Sequence, residues 1–244
     1  MSTAPVSDQR TLLDIQGLDT ALAKLTHQKN SHPTLSTLEE LTGRAEDLDR
    51  SRAETQVVVN DTRRELVKAE TDVEQVRNRA DRDRQRLESG TGSPKDLQAL
   101  TKELESLAKR QSDLEDVELE VMERLETAEG QLTATTEQLE AIRADITGTE
   151  AERDEAFADL DEQIERTRAQ REELARGIDT DLLALYEKVR AKTGGLGAVA
   201  LKGTATQGIQ IPLSLTEKSA IEAAPPEQVL RSEDYDYILV RLDD

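Results

Sequence analysis

The sequence predicts a mainly α fold, a long antiparallel coiled-coil helical hairpin followed by a small α+β C-terminal domain. Three observations carry it. The 244 residues include 52 acidic and 32 basic side chains but only 55 Leu, Ile, Val and Phe, three Tyr and no Trp. That is little for a large core, yet enough for seams that need about two apolar residues in seven. Two long stretches repeat apolar residues every seven positions, with one Gly- and Pro-containing turn between them. The last fifty or so residues abandon that spacing for short apolar runs set off by Gly and Pro.

The elements follow in order. Leu12, Ile15, Leu18, Leu22 and Leu25 recur at helical spacing and predict a first short helix. Asn30 to Pro33 interrupts it, because Pro disfavours helix at the residue before it and lacks an N–H. From Leu41 a heptad seam runs through Leu48, Thr55, Thr62, Ala69, Val76 and Asp83, with Ala45, Arg52, Val59, Leu66, Val73, Ala80 and Leu87 at the second position. Ser89 to Pro94 then reads as a turn leading into a helix start.

The second stretch, from about Lys95 to Arg176, places Leu97, Leu104, Gln111, Glu118, Leu125, Leu132, Leu139, Ile146, Arg153, Leu160, Thr167 and Leu174 at one seam position. Leu100, Leu107, Leu114, Val121, Ala128, Thr135, Ile142, Thr149, Ala156 and Gln163 take the other, and 15 of these 22 residues are apolar. Some 80 helical residues reach about 120 Å at 1.5 Å each. The expected organisation is a hairpin over 1–176 with a break near 30–34 and its tip at 89–94. A connecting helix follows over 177–194, then a terminal domain over 195–244. Arg52, Asp83, Gln111, Glu118, Arg153 and Gln163 either set the register of the seam or lie at its exposed margin.

In the terminal domain, 198–201, 209–213, 228–231 and 237–242 read as strands. Ser214 to Ala223 reads as a helix opened by Ser214, with Glu217 at the capping-box spacing. Ile209, Ile211, Leu213, Leu215, Ile221, Val229, Leu230, Ile238 and Val240 supply its expected core. Tyr235 and Tyr237 add most of the scarce aromatic area.

Charge and missing residue types exclude much. A net charge of -20 repels polyanions from the molecule as a whole, and zero cysteines close off disulfides, thiolate metal sites and cysteine nucleophiles. His27 and His32, five apart, do not share a helical face as ligands would. The Gly-containing turn lacks phosphate-loop spacing, and the carboxylates read as solvated helix faces, so the chain is read as no enzyme and as needing no cofactor. No apolar run approaches a membrane span and no leader pattern opens the chain, which predicts a cytoplasmic protein. The charge is also uneven. Residues 77–110 carry nine basic against six acidic side chains, whereas 112–176 carry seven against 21. The basic tip, with Arg77, Arg79, Arg82, Arg86, Lys95 and Lys102, is the candidate contact for a partner or for phosphate.

The stretch VRNRADRDRQRLESGTGSPKDLQALTKELESLAKRQSDLEDVELEVMERLE, followed by LYEKVRAKTGGLGAVAL and a small β domain, resembles the bacterial C4-type zinc-ribbon proteins with an N-terminal coiled coil. The resemblance covers nearly the whole chain. It implies a C-terminal ribbon holding zinc through two CxxC knuckles, and roles in nucleic-acid binding or as chaperones and adaptors of flagellar and secretion components. At the matching positions this chain has Gly203, Thr206, Ser232 and Tyr235, none of which binds zinc as a thiolate. The resemblance therefore implies a degenerate ribbon without its metal. The functional expectation is a non-enzymatic coiled-coil adaptor that holds a protein partner through its ends. Nucleic-acid binding through the basic tip is the alternative, and self-association into a homo-oligomer is a further way such a coil can be used.

Overall fold

The computed structural model describes residues 2–242. Its elements are α1 Val6–Asn30, α2 Pro33–Glu88, α3 Pro94–Arg176, α4 Thr180–Lys192, β1 Ala198–Lys202, β2 Ala205–Thr206, α5 Leu215–Ala223, β3 Leu230–Arg231 and β4 Ile238–Arg241. The chain divides into two compact units, one of residues 36–150 and one joining 1–35 to 151–244. The second grouping assigns α1 to the C-terminal sheet, where the sequence pattern suggested only the start of the hairpin.

In the 36–150 unit, all fourteen α2 seam positions are buried or half-buried, and so are the α3 seam positions from Leu97 to Thr149. Ion pairs fix the direction of pairing. Arg77 meets Glu115 at 2.5 Å, Arg63 meets Glu129 at 2.6 Å, and Arg143 meets Asp49 at 3.7 Å, so one number falls as the other rises and the helices are antiparallel. Val76, Ala80 and Leu107 form a packed cluster near the turn, backed by Leu104 and Leu114. The polar seam residues resolve individually. Asp83 is buried between Arg79 and Arg86, each at 4.0 Å, while half-buried Arg52 pairs with Asp49 on its own helix and Gln111 donates to Glu115.

In the other unit, the C-terminal part of α3 faces α1. Lys29 bonds Asp161 at 2.5 Å and lies 5.1 Å from the centre of the Phe157 ring, whose edge meets His32. Here the seam slips by one residue. Gln163 is exposed and Ile164 takes the inner position, followed by Thr167, Arg171 and Leu174.

The sheet has the order β2-β1-β4-β3, with β1 and β4 parallel and both edges antiparallel. Strand alternation serves two cores. Ala198, Ile238 and Val240 pack with Leu12 and Ile15 of α1 and Leu182, Tyr186 and Val189 of α4. Val199, Leu201 and Leu239 pack with Leu230, Ile211 and Ile221. Both faces are thus covered, as a parallel pair requires.

Residues 209–213 form no strand. Gly208 takes φ +79°, Pro212 has no N–H to give a ladder, and among the described residues β1 pairs on that side with the two-residue β2. Ile209 and Leu215, expected in the core, are 48% and 84% exposed. The 228–231 run shortens to β3, because the N-terminal segment takes up its first residues: Ala4 N–H bonds Glu227 O, and Val229 N–H bonds Ser2 O.

Candidate partner-binding surfaces

The tip is built by an ordinary helix–turn–helix grammar. Gly90 and Gly92 adopt positive φ, and α3 then opens on Ser93, whose hydroxyl accepts from Asp96 N–H while the Asp96 carboxylate accepts from Ser93. Those hydrogen bonds, side-chain first and backbone second, hold the Asp96 carboxyl below its usual range.

The candidate basic residues separate into two groups. Arg77 bonds Glu115, Arg79 bonds Glu103, and Arg86 sits 4.0 Å from Asp83, so all three are partly neutralised within the hairpin. Hydrogen bonds from Gln111 and from Arg77 lower the Glu115 carboxyl. Arg82, Lys95, Lys102, Lys109 and Arg110 are exposed and form no ion pair among the described residues. Arg82 of α2 and Arg110 of α3 line the two walls of one groove of about 740 Å³, floored by Val76, Leu107 and Leu114.

The four proposed ligand positions do not come together. Gly203, at φ +58°, follows the end of β1, whereas Ser232 to Tyr237 turns just before β4 begins. Since Ala198 is level with Ile238 in the parallel pair, Gly203 stands about six residues further along, roughly 20 Å at 3.3 Å per residue. The hydroxyls are also engaged. Thr206 Oγ1 accepts from Ile211 N–H at 3.0 Å, and buried Ser232 Oγ accepts from Tyr237 N–H at 3.2 Å. Tyr235 stacks on Tyr237 with ring centres 5.8 Å apart. These residues do not fit zinc. The turns 206–211 and 232–237 are alike in one respect, each being closed by a hydroxyl that accepts from the N–H five residues on.

The capping box at α5 is present as the sequence spacing suggested, with Glu217 N–H donating to Ser214 Oγ at 3.1 Å and Ser214 N–H to the Glu217 carboxylate at 2.8 Å. The other Glu217 oxygen accepts from Glu233 N–H at 2.9 Å. The Glu233 bond first and the Ser214 bond second hold its pKa below the usual range. One carboxylate therefore ties α5 to the 232–237 turn.

Sequence reasoning missed a buried polar cluster. The Asp19 side chain is 2% exposed and accepts from Arg171 at 2.9 Å, Tyr186 Oη at 2.8 Å and Arg190 at 3.3 Å, while Arg171 also reaches Glu187. Gln16 accepts from Gly197 N–H at 2.6 Å and donates to Gly195 O at 3.1 Å. Burial, then Asp19, push the Tyr186 phenol well above its ordinary value. Burial would lower the Arg171 guanidinium, but its bonds to Asp19 and Glu187 outweigh this and raise it. The signal was available: Gln16 and Asp19 lie four and seven positions after Leu12, on an apolar face of the helix. This cluster joins α1, the C-terminal part of α3 and α4 into one body.

A helical hairpin carrying a small mixed sheet is thus the class that the fold defines. The chain belongs to the CT398-like coiled coil hairpin domain family, whose model matches residues 15–194. An uncharacterized protein of Mycobacterium tuberculosis strain H37Rv is 34% identical over 240 residues, 98% of each chain. A solved structure from Mycobacterium smegmatis is similar with a TM-score of 0.86 and 31% identity, covering 98% of this chain and 100% of that one. CT398 from Chlamydia trachomatis has a TM-score of 0.72 at 18% identity over 97% of this chain and 98% of its own, which shows the shared fold. No described helix is long and apolar enough to cross a membrane.

Proposed function

We propose that the chain is a non-enzymatic, cytoplasmic coiled-coil adaptor of chaperone-like action, binding a protein partner through the hairpin tip and the terminal sheet. The observation that carries this reading is the group of exposed, unpaired cations at the tip, Arg82, Lys95, Lys102, Lys109 and Arg110, in a chain that is otherwise strongly acidic. They leave a surface whose charge is not satisfied within the molecule. In support, the polar groups of the Asp19 cluster are engaged in holding helices together. A nucleic-acid role finds less support, because no aromatic side chain lies among residues 77–110 to stack a base.

The terminal domain is in this reading a zinc ribbon that has lost its metal. Support comes from the paired 206–211 and 232–237 turns, in which Thr206, Ser232 and Glu217 accept backbone N–H groups that metal-bound thiolates would otherwise attract. The acidic SEDY sequence on that turn suits a protein partner better than phosphate.

A photo-crosslinking residue at Lys102 or Tyr235, irradiated in cells, tests the reading. Adducts that protease removes and nuclease leaves intact are expected at both positions. Nuclease-sensitive adducts at Lys102 would instead establish nucleic-acid binding.

A further inference from the structure

We propose that the groove between α2 and α3 near the tip receives an acidic amphipathic helix of the partner, its carboxylates seated between Arg82 and Arg110. The inference rests on the adaptor reading and names the chemistry of the partner at the tip.

The groove has the two features that such a helix requires. Its floor is apolar, made by Val76, Leu107 and Leu114, and its walls are charged. Arg79 and Glu103, which also line it, satisfy one another. Arg82 and Arg110 stand on opposite walls and neither pairs with a carboxylate among the described residues; Asp72 also lines the groove, which leaves two unpaired guanidiniums against one carboxylate, and guanidinium forks match carboxylates in geometry. Beside Arg110, Lys102 and Lys109 share one face of α3 at a spacing of seven residues and extend the positive rim.

Two occupants compete with this assignment. A nucleic-acid strand would meet the cations, but it would gain nothing from the aliphatic floor and would be repelled by residues 112–150, where twelve acidic side chains face two basic ones. A second copy of the chain could offer that acidic stretch, but at a net charge of -20 two copies repel one another. A short acidic helix satisfies both floor and rim without that opposition.

The test uses the full chain and a synthetic amphipathic helix of three heptads, with leucines on one face and glutamates beside them. A second peptide carries glutamine for every glutamate. Anisotropy titration is expected to show binding of the glutamate peptide and at least about tenfold weaker binding of the glutamine peptide. Arg82→Glu with Arg110→Glu is expected to weaken the glutamate peptide about tenfold or more. Both sites are exposed and unpaired, and an unchanged circular dichroism spectrum confirms that the variant folds. Equal affinity for the two peptides, or indifference to the double variant, overturns the proposal. So does a single-stranded oligonucleotide that displaces the peptide with a steeper loss of affinity in salt, or a doubled mass in light scattering that the double variant abolishes. The adaptor reading stands or falls separately, on the nature of the Lys102 adducts.

Discussion

Replacing Asp19 should be the most damaging single charge change in the molecule. Its carboxylate is almost fully buried and accepts from three side chains: Arg171, Arg190 and the phenol of Tyr186. In Asp19→Ala the two guanidiniums fare differently from the phenol. Arg190 is 34% exposed and Arg171 17%, and both keep Glu187, so each retains part of its solvation or pairing. Tyr186 is fully buried and keeps only Gln16 at 3.3 Å. Breaking a buried pair costs about 3–5 kcal/mol, and the partial exposure of the arginines puts the expected loss at the lower end, about 3 kcal/mol. Asp19→Asn keeps an acceptor for the phenol and loses only the charge, so about 1–2 kcal/mol is expected. Urea unfolding followed by tyrosine fluorescence isolates the effect, because Tyr186, Tyr235 and Tyr237 all belong to the 1–35/151–244 unit and no Trp masks them. A loss below about 1 kcal/mol for alanine, or equal losses for alanine and asparagine, would refute this account of the cluster.

Two further predictions concern the same unit. A Cβ on Gly197 would come within 2.5 Å of the buried Tyr186 ring, so Gly197→Ala should cost about 1–3 kcal/mol in the same assay, whereas Gly17→Ala, where a Cβ meets open space, should not destabilise. Stability should decline at both ends of the pH range. The Tyr186 pKa is raised on folding, so its contribution is full below the ordinary phenol range and fades as pH rises above it. The Glu217 pKa is lowered, so its contribution is full above the ordinary carboxylate range and is lost as pH falls below it. Tyr186→Phe should blunt the alkaline limb and Glu217→Gln the acid one, both read as the pH dependence of the urea midpoint.

The hairpin was legible because its seams are long and locally periodic. A register repeated over many heptads survives Arg52 or Gln111, whose charged or polar ends can reach the margin. The pattern failed at Gln163, where the seam slips to Ile164. Periodicity describes one helix at a time and does not disclose that α1 has become the facing element. The Asp19 cluster was missed for a related reason: a polar residue on an apolar face reads as a defect until its partners, 152 and 167 positions away, are known. In the terminal domain, the α5 capping box was readable because both its residues lie within one turn. Strand 209–213 was misread because alternation of Ile209, Ile211 and Leu213 says nothing of whether a ladder partner exists, and β1 has already spent that edge on β2.

The 206–211 turn yields a direct test of the ribbon reading. After β2 the chain runs back along β1, with Gln207 N–H bonding Ala200 O, which carries the 206–211 turn toward the end of the sheet where 232–237 lies. Gly203 remains at the other end. If Thr206 and Ser232 are equivalent, as their matching bonds to the N–H five residues on imply, Ile209 is the equivalent of Tyr235. Along the sheet, however, Thr206 is level with Leu201 and Ser232 with Gly197, four residues or roughly 13 Å apart at 3.3 Å per residue, and β2 and β3 are its two edges. A variant with Thr206→Cys, Ile209→Cys, Ser232→Cys and Tyr235→Cys should therefore give no tetrahedral thiolate site for cobalt. Neither should the variant with Gly203→Cys in place of Ile209→Cys, whose first sulfur stands about 20 Å along the strand from the second turn. One cobalt ion per chain with tetrahedral thiolate absorption in either variant would mean that the sheet register does not govern where the turns meet.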